Sequence, residues 1–250
     1  MVRRKLAASR SAAQDAIAAG RVEVGGVPVP KPATLVAETV SVRVIDDRSV
    51  YVSRGGLKLE AALDALPISV RGRRCLDVGA STGGFTDCLI RRDALHVVAL
   101  DVGYGQLAWS LRNDPRVTVV DRTNFRHVDP EAIGAPFDVV VADMSFISLR
   151  SVANALRRVG FAGTDYVLLV KPQFEVGRDN VGKGGIVRDS MLHAGAIDGV
   201  AARLDAEGIG LVSGVASPLR GAKGNREFLV WGRPGARQLQ RADIEELVHE

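Results

Sequence analysis

Apolar residues fall in short continuous runs along most of this chain, each with a polar group at or near its carboxyl end. Five runs stand out: Arg74-Cys75-Leu76-Asp77-Val78, His96-Val97-Val98-Ala99-Leu100-Asp101, Val117-Thr118-Val119-Val120-Asp121, Phe137-Asp138-Val139-Val140-Val141-Ala142-Asp143 and Asp165-Tyr166-Val167-Leu168-Leu169-Val170-Lys171. Continuous rather than alternating hydrophobicity predicts strands buried on both faces of a parallel sheet. Helical spacing separates them, as at Phe85 to Arg92 and Leu192 to Glu207, so the pattern is that of an α/β fold. Pro218 to Asn225 reads as a long hairpin loop.

The first fifty residues follow another pattern. Ser9 to Gly20 predicts a short helix, capped by Ser9 or Ser11 and ended by Gly20. Val22-Glu23-Val24, Gly25-Gly26 and Val27-Pro28-Val29 predict a hairpin, and Val42-Arg43-Val44 another strand. The chain therefore divides into a small α+β domain at 1–47, a linker at 48–52 and a large domain at 53–250. The link through Val50-Tyr51-Val52 is short, which predicts limited independent motion.

Chemistry enters at the first run of the large domain, where Asp77 leads into Gly79-Ala80-Ser81-Thr82-Gly83-Gly84 and then an apolar helix from Phe85. A strand, a glycine turn and a helix bring bare main chain against a nucleotide-like ligand. Ser81 breaks the dinucleotide pattern, and no Gly-Lys-Ser/Thr closes a phosphate loop. An acid ahead of the turn repels a pyrophosphate and suits a cationic ligand, S-adenosylmethionine. Residues 79–85 then form its cradle. Asp101, roughly 20 residues beyond the turn, is placed to hold the ribose hydroxyls. Asp121 or Asn124 either hydrogen-bonds the adenine amino group or serves a turn, and Asp143 stands at the same sheet edge.

Composition narrows the class. The chain is 46% hydrophobic and 25% charged, enough for a packed core. No apolar run approaches the ~20 residues of a membrane span, and no signal segment opens the chain, which predicts a cytoplasmic protein. Cys75 and Cys88 are too few for a disulfide framework and read as reduced, buried thiols; four scattered histidines offer no metal-ligand spacing. The net charge of +4 is mild, but Arg3, Arg4, Lys5, Arg10, Arg21 and Lys31 crowd residues 1–31 against Asp15 and Glu23. That bias predicts an anionic partner, nucleic acid foremost, with a solvated charged face as the plain alternative.

The helix-to-hairpin pattern from Ser9-Arg10 through Ile17, Gly20, Val22 and Val24 to Gly26 resembles the S4 RNA-binding domain. The resemblance implies that basic residues of the helix face touch RNA phosphates, Arg10 and Lys31 first, with Arg3, Arg4, Lys5 and Arg21 as auxiliary contacts. S4 domains open with a fuller first helix than Met1 to Ala8 supplies, so either the true start lies upstream or this is a short variant.

Lys58, Asp143, Lys171 and Glu227 resemble the Lys-Asp-Lys-Glu tetrad of FtsJ-like RNA 2'-O-methyltransferases. Around them, Ser53-Arg54-Gly55-Gly56-Leu57-Lys58-Leu59, the 79–86 turn, Asp101 to Leu107, Asp143 to Ser148 and Val170 to Gly177 are similar to the TlyA family. That family comprises bacterial rRNA cytidine-2'-O-methyltransferases historically labelled haemolysins. The likeness runs from Leu6 to Val248 and implies a Rossmann-like SAM-dependent methyltransferase sheet, ending in an antiparallel pair, behind an S4-like domain. It implies Lys171 beside the reacting hydroxyl, Asp143 orienting it, and Lys58 and Glu227 completing the site, with ribosomal RNA or subunits as partner and no metal. A ribose hydroxyl is a poor nucleophile, so a base and electrostatic support are what the reaction needs. Phe146 and Phe174 are candidates to stack on a base, with core packing the favoured reading for Phe146. The loop from Gly177 to Arg188 is predicted flexible and basic enough to clasp RNA. Two other classes compete: a membrane-active cytolysin, and a non-catalytic RNA-binding factor for ribosome assembly.

Overall fold

The computed structural model describes residues 1–44 apart from 5, 8, 19–21, 29, 30 and 38, then 51–221 and 223–249. In the small domain, α1 (Arg10–Ala18) precedes β1 (Val22–Val24), β2 (Val27–Pro28) and β3 (Val42–Val44), which form an antiparallel sheet of order β2-β1-β3. Ala16 of the helix packs with Val22 beneath this sheet.

The large domain runs through α2 (Gly55–Ala65), β4 (Arg74–Val78), α3 (Gly84–Arg91), β5 (His96–Leu100), α4 (Trp109–Arg112), β6 (Val117–Val120), β7 (Val139–Ala142), α5 (Ala153–Val159), β8 (Asp165–Val170), α6 (Pro172–Glu175), α7 (Ser190–Asp205), β9 (Ile209–Ala216), β10 (Phe228–Pro234) and α8 (Arg241–His249). Its seven strands are ordered β6-β5-β4-β7-β8-β10-β9. The first five are parallel; β10 runs antiparallel to both β8 and β9.

Alternate residues of the parallel strands feed two apolar layers, as the two-residue period of a strand dictates. Leu76, Val78, Val140, Ala142, Leu168 and Val170 face a layer shared with α5, α7 and α8. Cys75, Val139, Val141, Val167 and Leu169 face the other, shared with α2 and α3. Both cysteines are free and buried, and burial pushes their thiols up, to about 12 at Cys75 and about 11 at Cys88.

One strand departs from the expectation of two buried faces. Strand β6 closes the parallel edge, and Thr118 is exposed with its neighbours only half-buried. An edge strand has a neighbour on one side only, whatever its sequence. Tyr51, read as part of the linker, is buried against Gly56 of α2, and its hydroxyl donates to Glu60 at 2.6 Å. The two domains touch where Arg43 donates to the carbonyl of Val52, and where the Gly25-Gly26 turn abuts the carbonyl of Leu107.

Candidate active site

Strand direction decides what gathers at the carboxyl edge of the sheet. Strands β4, β5, β7 and β8 all point the same way, so the residues at or after their ends, Asp77, Asp101, Asp143 and Lys171, share one edge. Strand β10 runs the other way and delivers its first residues there. Phe228 pairs with Val170, which sets Glu227 across from Lys171.

The tetrad forms two ion pairs. Lys171 Nζ stands 2.6 Å from Asp143 Oδ1 and donates to Ser145 Oγ at 3.0 Å. Lys58 Nζ, carried by α2, donates to Glu227 Oε2 at 2.5 Å. Lys58, Lys171 and Glu227 are buried and Asp143 is half-buried. Lys58, Asp143 and Lys171 line a cavity of 280 Å³ together with Asp77, Gly79, Ser81, Ser145 and Arg220. Charges taken from water in this way are costly unless paired, which the two pairs accomplish.

A second cavity, of 470 Å³, is lined by Gly79, Ser81, Asp101, Gln106, Asn124, Asp143, Ser145 and Phe146, among others. Gly79, Ser81, Asp143 and Ser145 belong to both cavities, so these residues form a shared wall. The glycine turn makes that wall thin. Gly79 has φ +83, and a Cβ there would lie 2.8 Å from the carbonyl oxygen of Asp143. Gly83 at φ +95 opens α3, and Ser81 itself takes φ +48.

The expected donor residues divide. Asp101 Oδ2 accepts from Ser81 N at 2.8 Å and Oδ1 from Gly103 N at 2.7 Å, leaving each oxygen further acceptor capacity toward the larger cavity. Asn124 lines that cavity, while its side chain accepts from Arg126 N and so also caps a turn. Asp121 instead pairs with Arg112 at 2.9 Å and accepts from Gly105 N. Asp77 is fully buried; its Oδ2 accepts from Thr86 Oγ1 at 2.6 Å, and its Oδ1 has no hydrogen-bond partner among the described residues. Burial, opposed by the Thr86 hydrogen bond and reinforced by Asp143, lifts the Asp77 carboxyl to about 7. An orphaned buried carboxylate oxygen, a cradle too close for any Cβ and an acid at the ribose position fit a cationic adenosyl ligand.

Phe146 is not a core residue. It is 91% exposed at φ +66, on the rim of the larger cavity with its ring 5.5 Å from that of Phe174. Met144, Ile147 and Leu149 of the same 143–149 connection take the places against the core. The 177–188 loop is not loose either: Gly182 bridges Ile186, and Asn225 binds Val187 N and Gly185 O. In the small domain, Arg3, Arg4, Arg10 and Lys31 line one cavity of 660 Å³; Lys5 and Arg21 lie outside the described residues.

Sequence reasoning missed Ser145, Gln106 and Glu175. Buried Glu175 accepts from Ser148 Oγ at 2.5 Å and Leu149 N at 2.8 Å, fixing the far end of the loop that carries Ser145 and Phe146. Its one sequence signal is an acid just after the strand-end lysine, in Lys171-Pro172-Gln173-Phe174-Glu175.

Comparison with known proteins adds to this geometry. The profile of FtsJ-like methyltransferases matches residues 51–234, and that of the S4 domain residues 1–41. The chain is 53% identical to the 16S/23S rRNA (cytidine-2'-O)-methyltransferase TlyA of Mycobacterium tuberculosis, over all of this chain and 94% of that protein. A solved structure named "Putative hemolysin from Streptococcus thermophilus" is 36% identical, with a TM-score of 0.79 over 98% of this chain and 91% of that one. An S-adenosylmethionine dependent methyltransferase from Mesorhizobium loti shares the fold alone, at 14% identity and a TM-score of 0.52, over 71% of this chain and 97% of that one.

Proposed function

The chain belongs to the FtsJ-like methyltransferase family and, within it, to the TlyA family; from that premise we propose that it transfers a methyl group from S-adenosylmethionine to the 2'-oxygen of cytidine in ribosomal RNA. The observation that carries the reading is the Lys171–Asp143 pair, 2.6 Å apart, in which Lys171 lines the smaller cavity and Asp143 the wall common to both. One cavity then takes the donor and the other the nucleotide, and the reacting atoms meet at that wall. When bound, the donor supplies an electrophilic methyl group on a sulfonium.

The protein's own work is placement and proton handling. The ribose 2'-oxygen would gain a carbon–oxygen bond as the methyl's bond to the donor sulfur breaks and leaves a thioether, and the hydroxyl proton would pass to Lys171 Nζ once that lysine has released its own. Asp143 and Ser145 fix that nitrogen, and the Asp143 carboxylate balances the ammonium once the proton arrives. Lys58 and Glu227 close the remaining side as a neutralised pair, so they shape the site without adding net charge. Asp101 and the 79–85 turn hold the donor, Asn124 faces its base, and buried Asp77 stands beside the glycine turn with one carboxyl oxygen unpartnered among the described residues. Arg3, Arg4, Arg10 and Lys31 of the S4 domain, with Lys5 and Arg21, hold the RNA. We place the domain limits at 1–47 and 53–250, around the matched ranges 1–41 and 51–234. A cytoplasmic location follows from the substrate.

The decisive experiment incubates the purified protein with methyl-labelled donor and ribosomal subunits, then maps alkali-resistant linkages, since a methylated 2'-oxygen cannot attack its phosphodiester. Discrete resistant cytidines are expected. Label on a base, or none on RNA, overturns the reading. A vesicle-leakage assay on the same preparation addresses the haemolysin name borne by the Streptococcus thermophilus structure; no dye release is expected.

A further inference from the structure

Beside the tetrad cavity, two loops carry a concentration of cations. Residues 177–188 and 217–226 contain Arg178, Lys183, Arg188, Arg220, Lys223 and Arg226 against one acid, Asp179. Arg226 is engaged internally, donating to the carbonyl of Val248 and lying over Phe228. The other five are exposed. Among the described residues none of the five forms an ion pair, whereas Arg73, Arg91, Arg116 and Arg241 elsewhere on the same domain each hold a carboxylate. The neighbouring acids are already committed: Asp189 caps α7 and Glu227 holds Lys58.

The two loops are built as one body. Asn225 is buried, and its side chain satisfies both of its ends across the gap, accepting from Val187 N at 2.9 Å and donating to Gly185 O at 2.8 Å. Its own carbonyl accepts from Gly221 N at 2.9 Å, and His193 Nε2 lies 3.0 Å from Val187 O. Lys223 thereby lies alongside Gly185, and Arg220 and Gly221 reach the lining of the tetrad cavity. A buried amide spent on holding like charges together, with Asp179 the one acid in the two loops, fixes a positive field at one place.

We propose that this double loop is a preformed site for backbone phosphates of the RNA strand flanking the target nucleotide, separate from the basic cavity of the S4 domain. The inference rests on the RNA methyltransferase reading above. Phosphodiesters suit it because they offer repeated single charges along a strand, and because guanidinium and ammonium donors bind them through charge-assisted hydrogen bonds without regard to base. The S4 domain then anchors the substrate at a distance, and the double loop sets the strand beside Lys171.

The test compares wild type with Lys183→Ala/Lys223→Ala and with Arg157→Ala/Arg158→Ala, which removes two exposed charges from α5. Binding of an rRNA transcript is measured across salt concentrations, together with methylation kinetics. The loop variant should lower the salt slope by about one unit per lysine and raise KM for RNA several-fold, with donor affinity and kcat kept. The α5 variant should match wild type. An unchanged slope in the loop variant, or an equal fall in the α5 variant, overturns the proposal. A wild-type protein that binds but never methylates RNA strikes the functional reading instead, and the slopes still decide the site.

Discussion

Lys171 Nζ and Asp143 Oδ1 stand 2.6 Å apart at the carboxyl ends of two adjacent parallel strands. The pairing register of β7 with β8 sets that meeting, so backbone hydrogen bonds rather than flexible loops hold the two groups together. Loss of Lys171 removes the proton acceptor and leaves the sheet intact. Lys171→Ala should reduce methylation by at least about 10²–10⁴-fold while the protein still folds and binds RNA. Lys171→Arg should not rescue it, because a guanidinium does not deprotonate in a protein. Single-turnover methylation of rRNA measures both; near-wild-type rates in the alanine variant would remove the mechanism.

The Gly79 position, on the wall that both cavities share, predicts a loss of donor binding. A methyl group there meets the carbonyl of Asp143 at 2.8 Å, on a backbone at φ +83 that costs a non-glycine residue about 1–3 kcal/mol. Gly79→Ala should weaken donor binding by roughly tenfold or more, since 1.4 kcal/mol is a factor of ten. RNA binding should be unaffected. Calorimetry with the donor checks this, and unaltered affinity would show that the turn does not form the wall.

Asp77 makes stability depend on pH. Its carboxyl is lifted to about 7 in the fold by burial, against about 3.9 in an unfolded chain. A raised value means the fold favours the protonated acid. The contribution is therefore fully present below about pH 4 and is lost as pH rises through about 7. Asp77→Asn keeps an acceptor for Thr86 and removes the charge. The Tm of wild type relative to this variant should fall between about pH 4 and 7 and level off above. A difference that stays constant from pH 4 to 8 would show that Asp77 is not the titrating group.

Arg10 and Lys31 face one cavity of the small domain, far along the chain from the tetrad. Replacing both by alanine should weaken RNA binding and reduce its salt slope by about one unit for each phosphate that is no longer neutralised. Donor affinity should not change. If RNA affinity held and donor affinity fell, the roles assigned to the two domains would be reversed.

The parallel strands were legible because a strand covered on both faces must be apolar throughout, and Val139-Val140-Val141-Ala142 can be little else. Thr118 sits in a run that reads the same way, yet β6 has a solvated side. Edge position belongs to the strand order, which no local window contains. The same limit governs the site. Asp77 and Asp101 could be read from their places at strand ends, but Lys58 and Glu227 are 169 residues apart, and no spacing along the chain announces their contact. Only the family resemblance joined them. Phe146 misled because aromatic residues usually seek cover, whereas here the backbone at φ +66 turns the ring outward.

The reversed strand β10 has a consequence for biosynthesis. It follows every other described strand in the sequence, yet it enters the interior of the sheet, between β8 and β9, and brings Glu227 to Lys58. A nascent chain lacking these final residues holds the lysine without its partner and β8 without its second neighbour. Until β10 is in place the chain lacks the Lys58–Glu227 pair, so a complete site requires a sheet closed through that strand.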